Sequence, residues 1–221
     1  MDASICPWRL LVADLDGTLV TGSVAAHLDR WIGHESTIAE LQGELRDGQV
    51  TNAQVADAYA PLYRDVSRAG AAAALADIAC LTGIPEGVNL LAERGIEAVI
   101  ATVGWSFGAD SLAGVWGFAG ARGVDLEVDP TTDRFTGRVQ RHFEPAEKVD
   151  FAAEFCAQNG TTLDAVVAVG DGSPDLPLFD AVGYSVALNA SPDARAAASV
   201  AVDSRNFLDA LKAVPGLLDI P

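Results

Sequence analysis

Short apolar runs alternate with stretches of helical periodicity along most of the chain, and few folds accommodate that order. The runs are Leu10 to Ala13, Ile96 to Ala101, Val124 to Val128, Ala165 to Val169, Ser185 to Leu188 and Val200 to Val202. A strand that is apolar at nearly every position, rather than at alternate ones, is buried on both faces. Helical patterns fill the gaps: Pro85 to Gly95, residues 106 to 119, Ala146 to Gln158, Asp175 to Val182 and Pro192 to Ala198, with Asn206 to Val214 closing the chain. Strands joined through helices run parallel, so the expected class is α/β with a parallel sheet. One place breaks the rule. The turn cluster Asp129 to Asp133, followed by Phe135 to Val139, suggests a hairpin or a surface strand.

The first gap is different in kind. From Ser23 to Ile84 strand character disappears. Val24, Ala25, Leu28 and Ile32 recur at helical spacing, as do Ile38, Leu41 and Leu45. Thr51 to Gln54 looks like a helix start, followed by the stripe Val55, Tyr59, Leu62 and Val66. Ala71 to Leu81 is alanine-rich and expected to be helical. Some sixty residues of short helices thus separate the first strand from the second.

The first apolar run ends in Asp14, Asp16 and Gly17. On extended backbone, residues two apart point to the same side, so the two carboxylates face one place. At roughly 4 Å and an effective dielectric near 20, they repel by about 4 kcal/mol. A divalent cation is the usual means of offsetting such repulsion. The plain alternative is a strand followed by an acidic turn.

Three further pieces follow in order: Ile100-Ala101-Thr102, then Lys148 at the start of a helical pattern, then Val167-Ala168-Val169-Gly170-Asp171-Gly172-Ser173-Pro174-Asp175. Together with Asp14-Leu15-Asp16-Gly17-Thr18-Leu19-Val20, these resemble the four motifs of the haloacid dehalogenase superfamily, with the DxDGT signature of its phosphatases. The resemblance implies a Rossmann-like sheet with helices on both faces. It also implies a core of residues 1–22 and 85–221, with residues 23–84 as a small helical cap like that of the phosphoserine-phosphatase branch. By the same resemblance Asp14 is the nucleophile, forming an aspartyl-phosphate, and Asp16 the general acid and base. Thr102, the Val103 N–H, Gly104 and Lys148 would hold the phosphoryl group. Mg2+ would be bound by Asp14, the Asp16 carbonyl and Asp171, with Asp175 behind them or as a fourth carboxylate. Thr102 as a helix cap, and Asp175 as an ordinary acid of a helix's first turn, are the structural alternatives.

The implied activity is hydrolysis of a small phosphorylated metabolite. A phosphomutase, or a silent phosphometabolite-binding protein, is the alternative. Three departures from the branch stand out. Ser23 and Tyr59 occupy the positions where it carries an acid and an arginine for the amino-acid part of its substrate. The second motif reads Thr102-Val103-Gly104. Pro174 replaces an asparagine and removes a donor. Specificity therefore falls to other cleft residues, with His27, Trp31, His34, Arg46, Tyr59, Tyr63, Arg64, Trp105 and Phe107 as candidates.

Composition narrows the partners. The formal net charge is −17, with two lysines against twelve arginines, which disfavours nucleic acid and anionic membranes as ligands. It also means that an anionic substrate needs a local positive centre, for which Lys148 and a metal are the suppliers. Half the residues are hydrophobic, enough for a sizeable core, and no apolar run reaches the roughly 18 residues that span a bilayer. The first residues lack a basic start and a long apolar stretch, so a cytoplasmic location is expected. Cys6, Cys80 and Cys156 are odd in number and widely spaced, and are expected to be small buried hydrophobes rather than a disulfide or zinc framework.

Overall fold

The structure, a computed structural model, describes residues 6–33 and 50–218. Within them seven strands form one sheet: β1 (Leu10–Ala13), β2 (Glu97–Trp105), β3 (Gly120–Asp129), β4 (Arg134–Arg141), β5 (Val166–Gly170), β6 (Tyr184–Leu188) and β7 (Val200–Val202). Their order is β4-β3-β2-β1-β5-β6-β7. All neighbours are parallel except β3 and β4, which pair antiparallel around the Asp129 to Asp133 turn. The hairpin reading of that turn thus holds.

β1 lies between β2 and β5, with Ala13 opposite Ile100 on one side and Val169 on the other. Every residue of β1 and β5 is buried, which is why both runs are apolar without alternation. Each Leu or Val side chain so removed from water contributes about 1.5–3 kcal/mol. The chain moves outward from β1 through β2 and β3, then returns to the opposite side of β1 for β5. That reversal opens a crevice beyond the carboxyl ends of β1 and β5, the place where such sheets bind ligands.

Helices cover both faces. α4 (Ile84–Glu93), α5 (Ser106–Trp116) and α9 (Phe207–Lys212) form one packed set, and α6 (Glu147–Gln158), α7 (Leu176–Ala181) and α8 (Pro192–Ala197) the other. Between β1 and β2 come α1 (Val24–Ile32), α2 (Asn52–Tyr59), a 3-10 turn over Ala60–Tyr63, and α3 (Arg68–Ala74). The Ser23 hydroxyl caps α1 by accepting from the Ala26 N–H, and Gly33 ends it at φ 85°, a left-handed conformation that glycine adopts without strain. Thr51 and Gln54 close a reciprocal capping box at the start of α2. Ile38, Leu41 and Leu45 lie outside the described residues.

Several boundaries differ from the sequence expectation. The Val55 to Val66 stripe does not form one helix, because Pro61 starts the 3-10 turn and Asp65 has φ 63°. The alanine-rich helix begins earlier than Ala71, where the Ser67 hydroxyl caps it through the Gly70 N–H. It also ends at Ala74 instead of continuing to Leu81. Beyond it, Thr21 N–H bonds to the Ala79 carbonyl and Leu81 N–H to the Leu19 carbonyl. Long-range backbone pairing has overridden alanine's helical preference there. β2 extends past Ala101 to Trp105, with a register shift against β3 between those two residues. The cysteines are free: Cys156 is buried and Cys6 half-buried. Cys80 is exposed, contrary to expectation, because it lies on the strand-like segment bridged to Val20. No helix among the described residues is long and apolar enough to cross a membrane.

Candidate active site

Asp14 is the first residue beyond β1, and its N–H is held by the Val169 carbonyl of β5 at 2.8 Å. This fixes the carboxyl at the mouth of the crevice. Lys148, from the first turn of α6, is fully buried, and its Nζ lies 2.7 Å from both Asp14 Oδ1 and Asp175 Oδ1. Asp175 Oδ2 accepts from the Asp171 N–H at 3.0 Å and the Gly172 N–H at 3.1 Å. Both Asp175 oxygens are therefore engaged with the protein. The residue anchors Lys148 with one and shapes the turn after β5 with the other.

Thr18 completes the link. Its hydroxyl lies 3.0 Å from Asp171 Oδ1 and 3.3 Å from Asp14 Oδ2, joining the first and last motifs directly. It is buried. Sequence reasoning took Thr18 only as part of a motif and gave it no role. A threonine next to a turn glycine is also an ordinary turn residue, so spacing alone carried no signal.

Asp16 faces the crevice from the turn after β1, and its Oδ1 accepts from the Val24 N–H at 2.8 Å. The tight turn depends on Gly17 at φ 83°, where a side chain would be strained and its Cβ would collide with the Asp171 carboxylate. Gly104 approaches from the other side. A Cβ there would lie 2.8 Å from Asp16 Oδ2. Thr102 is fully buried inside β2, and its hydroxyl accepts from the Gly104 N–H at 3.0 Å. It does not cap the next helix, which starts four residues later with Trp105 in the cap position. Pro174 occupies a 3-10 turn over Ser173–Asp175, a position where its missing N–H leaves no hydrogen bond unmade.

Four carboxyls thus gather around one ammonium, and the imbalance shows in their protonation. Burial pushes the Asp14 carboxyl up, Lys148 opposes it, and Asp175 and Asp171 push it further. Burial raises Asp16 to about 6 against the pull of the Val24 N–H. It raises Asp171 to about 6 as well, assisted by Asp175. Burial works against the charge on Lys148, but Asp14 and Asp175 outweigh it and hold the ammonium well above the ordinary lysine range. The donor set fits a divalent cation. Carboxylate oxygens of Asp14, Asp171 and Asp175 lie within 4.8 Å of one another, they are hard ligands, and the site is short of positive charge. Both Asp175 oxygens are held by Lys148 and backbone N–H groups, whereas Asp14 Oδ2 and Asp171 Oδ1 share the Thr18 hydroxyl, so Asp14 and Asp171 are the carboxylates better suited to coordinate.

Asp14, Asp16, Asp171 and Asp175 line a cavity of about 460 Å3 that also includes Thr102, Val103 and Pro174. A larger hollow of about 640 Å3, between α3, α5 and the β3–β4 hairpin, contains none of the catalytic candidates. Of the residues considered for specificity, Tyr59 and Trp105 border the crevice beside Asp16. Tyr63 and Phe107 instead pack into an aromatic cluster with Phe135. His27 Nε2 sits 2.7 Å from the Ala74 carbonyl, tying α1 to α3. Trp31 is half-exposed, and Gly70 packs beside its ring. His34 and Arg46 lie outside the described residues.

An aspartate at the switch point of a parallel sheet, with a buried lysine and further carboxylates at the adjoining strand end, is the arrangement that the fold and the site define. The chain matches the sequence profile of the haloacid dehalogenase-like hydrolases over residues 11–180, and it belongs to that family. It is 29% identical over 210 residues to a phosphoserine phosphatase from Streptomyces coelicolor, covering 95% of this chain but 50% of that protein. It is 26% identical to one from Archaeoglobus fulgidus, covering 90% of this chain and 58% of that protein. The chain thus spans little more than half of these two relatives. With a phosphoserine phosphatase from Halobacterium salinarum, 27% identical, the shares are 90% and 94%. Two solved structures share the fold. A haloacid dehalogenase family hydrolase from Salmonella enterica serovar Typhi superposes with a TM-score of 0.85 at 16% identity, covering 96% of this chain and 71% of that one. A phosphoserine phosphatase held as a phospho-aspartyl intermediate analogue superposes at 0.80 and 23% identity, covering 94% and 99%.

Proposed function

We propose that this chain is a Mg2+-dependent phosphatase of a small phosphorylated metabolite, working through an aspartyl-phosphate on Asp14. The observation that supports this most directly is the buried Asp14–Lys148–Asp175 chain at the mouth of the crevice, with Asp171 linked to it through Thr18.

In the first step a carboxylate oxygen of Asp14 attacks phosphorus. The bond to the ester oxygen breaks, and the departing alkoxide takes its proton from Asp16. A carboxyl raised to about 6 gives up a proton near neutrality more usefully than an ordinary aspartate. In the second step Asp16, now a carboxylate, takes a proton from water. That water attacks the phosphorus of the acyl phosphate, which releases inorganic phosphate and restores Asp14. Lys148 holds positive charge where negative charge accumulates on the phosphoryl oxygens, and Asp175 keeps it aimed there. Thr102 and the backbone at Val103 and Gly104 form the opposite wall of the phosphoryl position. Mg2+, held by Asp14, Asp171 and the Asp16 carbonyl, would neutralise the repulsion between nucleophile and phosphate. Phosphate monoesters are the slowest substrates to hydrolyse unaided, with enzymatic accelerations up to about 10²¹-fold; nucleophile, acid, lysine and cation all have a share to supply. In this reading residues 1–22 and 85–221 are the catalytic core and 23–84 the cap that carries specificity.

The test is hydrolysis of p-nitrophenyl phosphate with and without Mg2+. The wild type is expected to require the metal and Asp14→Asn to be inactive. Hydrolysis that survives this substitution would refute the mechanism.

A further inference from the structure

A second hollow, of about 110 Å3, opens directly beside the catalytic carboxylates. It shares Asp16, Ser23, Asn52 and Val103 with the cavity that contains Asp14. Any group seated in it is therefore joined through the proton-donating carboxyl to the phosphoryl position, which is where the leaving alcohol must sit.

Apart from Asp16, the described residues that line it carry no formal charge. The inner side is formed by Val55, Tyr59 and Trp105, all buried, which present aliphatic and aromatic surface to a carbon skeleton. Among the described residues, no lysine or arginine lines this hollow or the cavity next to it. Among the described residues, the one carboxyl facing it is Asp16. A carboxylate on the leaving group would meet a like charge and, among the described residues, no cationic side chain in the lining. An ammonium would pair with the carboxyl whose proton the reaction needs.

Beside the Tyr59 hydroxyl and the buried Trp105 indole N–H of the inner wall, two neutral polar side chains border both hollows, Ser23 and Asn52. Ser23 Oγ accepts from the Ala26 N–H and keeps its own hydrogen to donate. Asn52 is the first residue of α2, and its backbone is fixed by the Thr51–Gln54 capping box. Its amide has no hydrogen-bond partner among the described residues, and it borders both hollows. A side-chain amide is donor and acceptor at once, which suits a hydroxyl.

We propose that this hollow is the leaving-group subsite, that it takes a short, uncharged polyhydroxy alcohol, and that Asn52 reads a hydroxyl of that alcohol. The inference rests on the phosphatase reading above and specifies its substrate class.

The experiment compares kcat/KM, in Mg2+, for glycerol 3-phosphate, phosphoserine, 3-phosphoglycerate and p-nitrophenyl phosphate. The wild type is expected to favour glycerol 3-phosphate over both carboxylated esters by at least about tenfold, the scale of an unpaired group in a binding site. Asn52→Ala is expected to lower the ratio of glycerol 3-phosphate to p-nitrophenyl phosphate about three- to tenfold. Ala25→Arg, at a half-buried position on the rim, is expected to raise 3-phosphoglycerate relative to glycerol 3-phosphate. Carboxylated esters turned over as well as glycerol 3-phosphate by the wild type would overturn the inference and leave the phosphatase standing. An Asn52→Ala ratio equal to the wild type's would remove Asn52 from it. No hydrolysis of any of the four esters would overturn both readings.

Discussion

Replacing Lys148 with methionine tests the centre of the site, because the apolar stem is kept and only the charge is lost. In the wild type the ammonium bonds two carboxylates at 2.7 Å each, in full burial. Removing one partner of a buried pair costs about 3–5 kcal/mol, since the other is left without compensation. Here one substitution strands two, Asp14 and Asp175. For a chain of this size each kcal/mol moves the melting temperature by about 2–4 °C, so a fall of roughly 6–20 °C is expected in metal-free buffer at pH 7.5. The sign with pH follows from the same contacts. Without Lys148 nothing opposes the upward push on Asp14, and its carboxyl rises further. A protonated carboxyl needs no counterion, so the deficit must shrink as the pH is lowered toward 5. Added Mg2+ must also recover part of it at pH 7.5 by supplying positive charge. The assay is a pair of urea or thermal melts, wild type against Lys148→Met, at both pH values and with both metal conditions. Equal stability at pH 7.5, or a deficit unchanged at pH 5, would show that the lysine does not neutralise these carboxylates.

Gly104→Ala places a methyl 2.8 Å from Asp16 Oδ2 and 3.3 Å from Thr102 Oγ1; displacing the acid by a fraction of an ångström is expected to cut kcat on p-nitrophenyl phosphate at least about tenfold, with an unaltered circular dichroism spectrum, and full activity would show that the close approach is dispensable. Asp29 is buried near the end of α1, with one oxygen lacking a hydrogen-bond partner among the described residues and Tyr63 donating to the other at 3.4 Å. Burial, partly offset by Tyr63, raises it from 3.8 to about 7; the folded state thus keeps its proton between those values while the unfolded chain loses it, and stability falls as pH rises through that window and stays low above it. Asp29→Asn is accordingly expected to stabilise the protein by up to about 4 kcal/mol at pH 8 and by nothing measurable near pH 4, read by urea melts; a loss of stability at pH 8 would contradict this. Because Asp171 is raised to about 6 and a ligand carboxyl must deprotonate to bind, the rise in melting temperature produced by Mg2+ should be small at pH 5 and complete by pH 7.5, and a metal effect that weakens with rising pH would argue against Asp171 as a ligand.

What the chain discloses before folding is uneven, and the reasons are physical. Strands such as β1 and β5 are legible because burial on both faces requires unbroken apolar runs. Their parallel arrangement follows from the helices between them. The length of β2 is not legible. Thr102 and Gly104 look like the end of a strand, yet the backbone stays extended to Trp105 because β3 continues beside it. The start of α3 is set by one hydroxyl, Ser67, four positions ahead of Ala71, where the alanine run begins. At the site, the resemblance to the haloacid dehalogenase motifs singles out Asp14, Asp16, Lys148, Asp171 and Asp175, and the structure brings all five to one crevice. Spacing could not tell that Asp175 would have both oxygens engaged, nor that Asn52 would stand between two hollows. Those facts depend on which side chains other parts of the chain bring near.

The hydrogen bonds that assemble the crevice span 134 residues from Lys148 to Asp14 and 153 from Thr18 to Asp171. A ribosome delivers Asp14 first and its partners last. β1 cannot be flanked on both sides until β5 has been made, so the helical segment after it has time to form while β1 waits. A nascent or truncated chain ending before Asp171 holds an aspartate but no enzyme, and the onset of turnover reports that the final third of the chain has docked.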